Sequence, residues 1–185
     1  MSVGDVLERV RGALVGSAVP YMLTGSFASA VHGAPRATQD IDVVIAPSRE
    51  QLLELVAHFP QSQYYVSAEA ALEALEQSGQ FNVIDLATGW KVDFIIRKPR
   101  EFSQIEFDRR RRVALSGVEL DVASAEDVVI AKLEWAKLGH SARQIEDVAS
   151  VVRVQGDALD VEYIARWVTS LHLEDQWREA STKVV

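Results

Sequence analysis

Between Thr24 and Ala46 the chain reads TGSFASAVHGAPRATQDIDVVIA. Its last part, Asp40-Ile41-Asp42 running straight into Val43-Val44-Ile45-Ala46, limits the fold more than any other feature. β-Branched apolar residues behind the acids predict a central strand over Asp40 to Ala46. Residues two apart in a strand project to one face, so Asp40 and Asp42 stand together while Ile41 and Val43 face the core. Two carboxylates about 4 Å apart repel by about 4 kcal/mol at an effective dielectric near ~20, a cost that a divalent cation reverses. Magnesium suits such a pair because it takes oxygen ligands, keeps waters, and is bound by one or two carboxylates plus substrate phosphates.

A third acid sits in Lys91-Val92-Asp93-Phe94-Ile95-Ile96, again at the head of an apolar strand. If that strand pairs beside the first, Asp40, Asp42 and Asp93 converge at one edge of the sheet. Three such carboxylates can hold two magnesium ions roughly 3.5 to 4 Å apart, one activating an attacking hydroxyl and one stabilising the leaving oxygen. Asp93 is then a general base or a bridging ligand; the plainer alternative pairs it with Lys91. Gly25-Ser26 supplies a complementary feature. A strand ending in glycine permits close backbone approach, and the free N–H groups of the following helix start favour a phosphate. A phosphate cradle facing an acid-bound metal pair is what phosphoryl or nucleotidyl transfer requires.

Around these motifs the periodicity predicts a mixed α/β region to residue 123 followed by a helical extension over 124–185. Val6, Leu7, Val10, Leu14 and Val15 have the spacing of an amphipathic helix over Asp5 to Val15. Tyr21-Met22-Leu23 is a short strand, and Ser26 to His32 forms two helical turns with Ser26 as a candidate N-cap and Gly33 as a stop. Helices follow over Pro47–His58 and Ser67–Gln77. Phe81–Leu86 and Lys91–Ile96 form a hairpin through Ala-Thr-Gly-Trp, and Val113–Leu115 and Val118–Val122 form another through Ser116-Gly117. Arg100 to Arg112 is predicted helical. The extension reads as helices over Glu126–Leu138, Ala142–Val154 and Val161–Leu171, with a frayed end and with Trp135, Trp167 and Trp177 as packing residues.

Charge and composition narrow the chemistry. A net charge of −8 over 185 residues argues against a general nucleic-acid binder, whose affinity comes mostly from Lys and Arg on phosphates. Lys91 to Arg112 is the exception, with eight basic and four acidic residues that include the run Arg109 to Arg112. With no cysteine, thiolate metal sites and cysteine nucleophiles are excluded and a cytoplasmic setting is expected. The longest charge-free run, Gly12 to Pro35, carries four glycines, two prolines and His32, so no membrane span is expected. The start, MSVGDVLERV, lacks the pattern of a secretory signal.

The ordered set of a strand, Gly25-Ser26, a short helix, Arg36-x-Thr38-x-Asp40-x-Asp42, an apolar strand and a later Asp93 resembles the DNA polymerase β type nucleotidyltransferase superfamily. Ala123-Ser124-Ala125-Glu126-Asp127 through Lys132-Leu133, then Arg143 and Asp147, is similar to the abortive-infection and toxin–antitoxin members. The resemblance spans about residues 20 to 150. It implies an α+β nucleotidyltransferase fold, a mixed sheet flanked by helices with a helical C-terminal extension. It further implies Mg²⁺-dependent transfer of a nucleoside monophosphate from an NTP, with release of pyrophosphate. Asp40, Asp42 and Asp93 take the metal and catalytic roles, and Gly25, Ser26, Arg36, Thr38 and Lys132 contact nucleotide. In family toxins the acceptor is often RNA, notably the tRNA 3′ end, and an antitoxin protein is a possible partner. Two rivals stand beside this reading: a catalytically silent nucleotide-binding or toxin–antitoxin interaction module, and an adenylyltransferase acting on an antibiotic-like small molecule.

Periodicity singles out Lys132 independently. It falls in the middle of the apolar arc of its helix, among Val128, Val129, Leu133, Trp135 and Ala136. A lysine there must snorkel or find an anionic partner, whether a triphosphate or a protein carboxylate. Arg143 and Asp147, four apart on the next helix, read as a surface pair.

Overall fold

The computed structural model describes residues 2–35 and 37–184, and these divide into two units. One runs through Thr24 and resumes from Thr38 to Val122; the other joins Gly25–Ala37 to the chain from Ala123 onward.

The first unit is built on a seven-stranded mixed sheet among the described residues. The strands are β1 (Tyr21–Thr24), β2 (Asp40–Ile45), β3 (Tyr64–Tyr65), β4 (Gln80–Asp85), β5 (Lys91–Ile96), β6 (Arg111–Leu115) and β7 (Val118–Val122). Their order across the sheet is β3-β4-β5-β2-β1-β7-β6. β2 pairs parallel with β5 and antiparallel with β1, while β1 pairs parallel with β7. Helices α1 (Val3–Gly16), α3 (Arg49–Ala57), α4 (Ala68–Gln77) and α5 (Glu101–Asp108) belong to the same unit; α2 (Gly25–His32) belongs to the other. Ser2 and Asp5 close a reciprocal capping box on α1, and Ser48 and Gln51 do the same on α3. Each such cap stabilises its helix by about 1 kcal/mol.

The core face of the sheet follows from strand alternation. Ile41, Val43, Ile45, Val92, Phe94 and Ile96 are buried, and Phe94 stacks on Phe81 of the neighbouring strand with ring centroids 5.3 Å apart. Both hairpins form at the expected places. In the first, the Asp85 carboxylate accepts from the N–H groups of Ala87 and Thr88, and Gly89 takes the positive φ that the turn needs. In the second, Ser116 and Gly117 both have φ > 0, the signature of a two-residue hairpin turn.

Three expectations change. The helix expected over Arg100–Arg112 ends at Asp108, and Arg111 and Arg112 open β6, because cross-strand pairing with β7 outcompetes continuation of a short polar helix. The two-residue strand β3 is too short to leave a period-2 pattern in the sequence. The end of the chain is also more ordered than expected, with a further helix α9 (Glu174–Thr182) anchored by a fully buried Ala180.

The second unit consists of α2 (Gly25–His32), α6 (Ala125–Gly139), α7 (Ala142–Gln155), α8 (Val161–Ser170) and α9. α6 packs on α7, α8 and α9, and α2 packs on α6 and α7. Polar ties bind α2 to the rest of the unit. A His32 ring nitrogen lies 2.7 Å from the Ala123 carbonyl, Gln155 donates to the His32 carbonyl at 2.7 Å, and the Ser150 hydroxyl accepts from Ala34 N–H at 2.8 Å. Gly33 is required by close approach: a Cβ there would lie 3.0 Å from Ser150 Oγ and 3.1 Å from the Val151 nitrogen. Among the described residues no helix is long and apolar enough to cross a membrane.

Candidate active site

Parallel pairing of β2 with β5 is what assembles the acidic face. Its register sets Asp40 opposite Lys91 and Asp42 opposite Asp93. An antiparallel pairing would have sent the two acidic strand heads to opposite ends of the sheet. Because alternate residues share a face, Asp40, Asp42, Lys91 and Asp93 all project to the side away from Ile41, Val43, Val92 and Phe94. The row extends sideways, with Thr24 of β1 opposite Asp42 and Asn82 of β4 opposite Asp93. Four adjacent strands thus contribute Asn82, Asp93, Asp42 and Thr24 in line, all oxygen-bearing side chains.

The face carries its own cation. Lys91 Nζ lies 2.8 Å from Asp93 Oδ2 and 3.5 Å from Asp40 Oδ1. The hydrogen bond to Asp93 is the main reason the Lys91 ammonium titrates above the ordinary lysine range; partial burial opposes this, and the charges of Asp93 and Asp40 reinforce it. Thr38 fixes the entry to β2, its hydroxyl accepting from the Asp40 N–H at 3.2 Å. Asp40 is exposed and Asp93 is buried, so the face grades from open to enclosed along the Lys91 contact.

The expected convergence is therefore partial. Register brings Asp42 beside Asp93 and one ammonium joins Asp93 to Asp40, yet among the described residues no three acidic or histidine side chains close into a metal-holding cluster. The donors nevertheless suit magnesium, which takes only one or two carboxylates and completes its shell with water and phosphate oxygens. That a cation already sits between Asp40 and Asp93 shows that the field there favours positive charge.

The remaining site residues distribute as follows. β1 ends at Thr24, opposite Asp42, and the next residue in the chain is Gly25, whose φ of 62° is the left-handed conformation that glycine adopts without strain. Gly25 begins α2, so Ser26 lies in the first helical turn and is not its N-cap. Arg36 lies outside the described residues. Lys132 sits in the second unit, 3% exposed, with Nζ 2.7 Å from Asp147 Oδ2 and 3.0 Å from Gln144 Oε1. The lysine stranded on an apolar arc has its anionic partner within the same helical unit.

Asp147 is accordingly buried beside Lys132 and is not half of a surface pair with Arg143, because α7 turns that side toward α6. Asp127 is fully buried, accepting from the Ser124 and Tyr163 hydroxyls at 2.6 Å each. Trp135 is 54% exposed and is not a core residue, whereas Trp167 is buried. The arginine run is dispersed as well. Arg110 stacks over the Phe107 ring at 4.3 Å, and Arg112 pairs with Asp121 across β6 and β7.

Sequence reasoning underrated Lys91 and missed Thr24 and Asn82 as members of the face. The readable signal for Lys91 was its spacing: Lys91-x-Asp93 repeats the interval of Asp40-x-Asp42, and the observed parallel register sets the two pairs side by side.

No protein-family model matches the sequence, and no curated protein matches it in sequence. Solved structures do match. An antigenic nucleotidyltransferase-like protein from Paracoccidioides brasiliensis superposes with a TM-score of 0.54 at 16% identity, over 95% of this chain and 91% of the other. The lincosamide antibiotic adenylyltransferase LnuA, bound to lincomycin, gives 0.52 at 10% identity over 82% and 96%. ANT(2″)-Ia in complex with adenylyl-2″-tobramycin gives 0.51 at 14% identity over 97% and 95%. The agreement spans nearly the whole of each chain, and this protein has the nucleotidyltransferase fold.

Proposed function

We propose that the protein transfers a nucleoside monophosphate from an NTP to a hydroxyl-bearing acceptor and releases pyrophosphate. The observation that carries this reading is the parallel register that sets Asp42 beside Asp93 and Asp40 beside Lys91 at one edge of a nucleotidyltransferase-type sheet. Asp40, Asp42 and Asp93 would hold magnesium, which when bound neutralises phosphate charge and lowers the pKa of the attacking oxygen.

The residues divide the remaining work. Asp93, enclosed by β2 and β4, accepts the proton of the acceptor hydroxyl as that oxygen bonds to the α-phosphorus. The bond from the α-phosphorus to the bridging oxygen breaks as the new one forms, and its electron pair leaves with pyrophosphate. Gly25 and Ser26, at the head of α2, are assigned to contact with phosphate oxygens. Thr38 and Arg36 contribute nucleotide contacts from the connection into β2. Lys132 we assign to joining α6 and α7 and not to the triphosphate, since Asp147 and Gln144 already receive its ammonium.

For the acceptor, a small-molecule hydroxyl is favoured over RNA. The overall charge of −8 opposes polyanion binding, and within the one basic run Arg110 is engaged with Phe107 and Arg112 with Asp121. Two of the structurally similar proteins are described with adenylylated tobramycin or bound lincomycin. The test is incubation with α-³²P-labelled NTPs and magnesium, in parallel with aminoglycosides, lincosamides and total tRNA. Label on a small-molecule acceptor, with Asp42→Asn inert, is the expected result. Label on tRNA instead would restore the toxin-like reading. Magnesium-dependent NTP binding with no transfer to any acceptor would mark a silent nucleotide-binding module.

A further inference from the structure

We propose that Lys91 is a resident counter-ion of the acidic face: it occupies the position between Asp40 and Asp93 that a divalent cation takes, and gives it up only when metal arrives together with the nucleotide. The inference rests on the metal-dependent reading above and adds a rule for how the site is loaded.

The geometry supplies the occupied position. A single ammonium bridges carboxylates on two adjacent strands, at 2.8 Å from Asp93 and 3.5 Å from Asp40, and register sets Lys91 directly opposite Asp40 and two residues before Asp93 on its own strand. Without it, Asp40 and Asp93 would repel one another across a parallel strand pair. The exposure pattern supplies the exit. The Lys91 side chain is 35% exposed and that of Asp40 58%, so the ammonium can swing into water on its flexible four-carbon stem while the Asp93 end stays enclosed.

Two consequences follow. Free metal must displace an ammonium already satisfied by two carboxylates, so its affinity for the empty protein is reduced. A metal–NTP complex meets no such obstacle, because the triphosphate offers the released ammonium a new anionic partner. Metal and nucleotide are therefore coupled, each raising the affinity for the other through Lys91, as reciprocity of binding free energies requires.

Manganese binding followed by electron paramagnetic resonance and by calorimetry tests this, with and without a non-hydrolysable ATP analogue. Wild type, Lys91→Met, Lys91→Gln and Lys91→Arg are compared, and melting curves are recorded in EDTA and in magnesium. Lys91→Met and Lys91→Gln should bind manganese alone about tenfold or more tighter than wild type and lose most of the enhancement by nucleotide. They should also melt lower than wild type in EDTA and recover in magnesium. Lys91→Arg should stay close to wild type. Equal manganese affinity in wild type and in both neutral variants overturns the counter-ion role while leaving the metal site standing. No manganese binding by any of the proteins, with nucleotide present, overturns the metal-dependent reading and this inference together.

Discussion

The two lysine–aspartate pairs of this protein use the same chemistry in opposite surroundings. Lys91 lies at the head of an inner strand with Asp40 and Asp93, its side chain about a third open to water. Lys132 is sealed between α6 and α7 with Asp147 and Gln144, its side chain 4% exposed. An ammonium that water can reach can be exchanged for another cation, whereas one that is sealed can only be lost with the packing around it. The first arrangement is suited to binding and the second to holding helices in register. That difference also separates Lys132, for which the resemblance implied contact with nucleotide, from Lys91, which the sequence offered only as a plain partner for Asp93.

The comparison breaks most readily at Asp42, which lies in the centre of the oxygen row between Thr24 and Asp93. Asp42→Asn is expected to reduce nucleotidyl transfer about a thousandfold or more, the scale of losing several kcal/mol of transition-state charge stabilisation. The melting temperature should change little, and a combined activity and melting series checks both halves.

Lys132 should behave in the reverse manner. Lys132→Met leaves Asp147 as an uncompensated buried charge, so chemical denaturation should show a loss of about 3–5 kcal/mol. Lys132→Met combined with Asp147→Leu should recover most of that loss, because an apolar pair replaces a desolvated ionic one. If the double variant stays as unstable as the single one, the pair is not the source of the effect.

Asp85 sharpens the contrast from a third direction, as a buried carboxylate held mainly by N–H donors. Burial pushes its pKa up, but the Thr88 backbone and hydroxyl, the Ala87 N–H and nearby Arg9 outweigh burial and hold it below the usual carboxylate range. A carboxyl depressed in the folded state contributes stability above its unfolded pKa of about 3.9 and loses it as pH falls through the lower folded value. Asp85→Asn should therefore lower stability at neutral pH, flatten the profile below about pH 4 and converge on wild type at the acid end, a comparison that pH-dependent denaturation makes directly. The smallest effect is expected at the exposed cross-strand pair of Arg112 and Asp121, where Arg112→Ala should shift the melting temperature only slightly and not at all in high salt.

What the sequence disclosed depended on whether the physics was local. β2 and β5 announced themselves through β-branched runs behind acids, and the two hairpins through Gly89 and Ser116-Gly117, because strand propensity and turn conformation are properties of neighbouring residues. Lys132 was legible for the same reason, as a charge on an apolar arc. Its partner was not, since Asp147 is brought to it by the packing of α6 on α7 and no spacing in the chain encodes that. The end of α5 illustrates the same limit: nothing near Asp108 stops a helix, and the boundary is set by β7, which claims Arg111 and Arg112 as an edge strand. Likewise the face of Asp40, Asp42 and Asp93 could be expected, but the place of Lys91 within it needed the parallel register.

The central claim is that the strand heads of β2 and β5 form a cation site for nucleotidyl transfer. Crystals soaked with manganese and a non-hydrolysable ATP analogue test it most directly through anomalous scattering. The account predicts a manganese peak bound to Asp42 and at least one of Asp40 and Asp93, bridged to the triphosphate, with Lys91 turned away from Asp40. A fully bound analogue with no anomalous peak at these aspartates, or with Lys91 still joining Asp40 to Asp93, would contradict it.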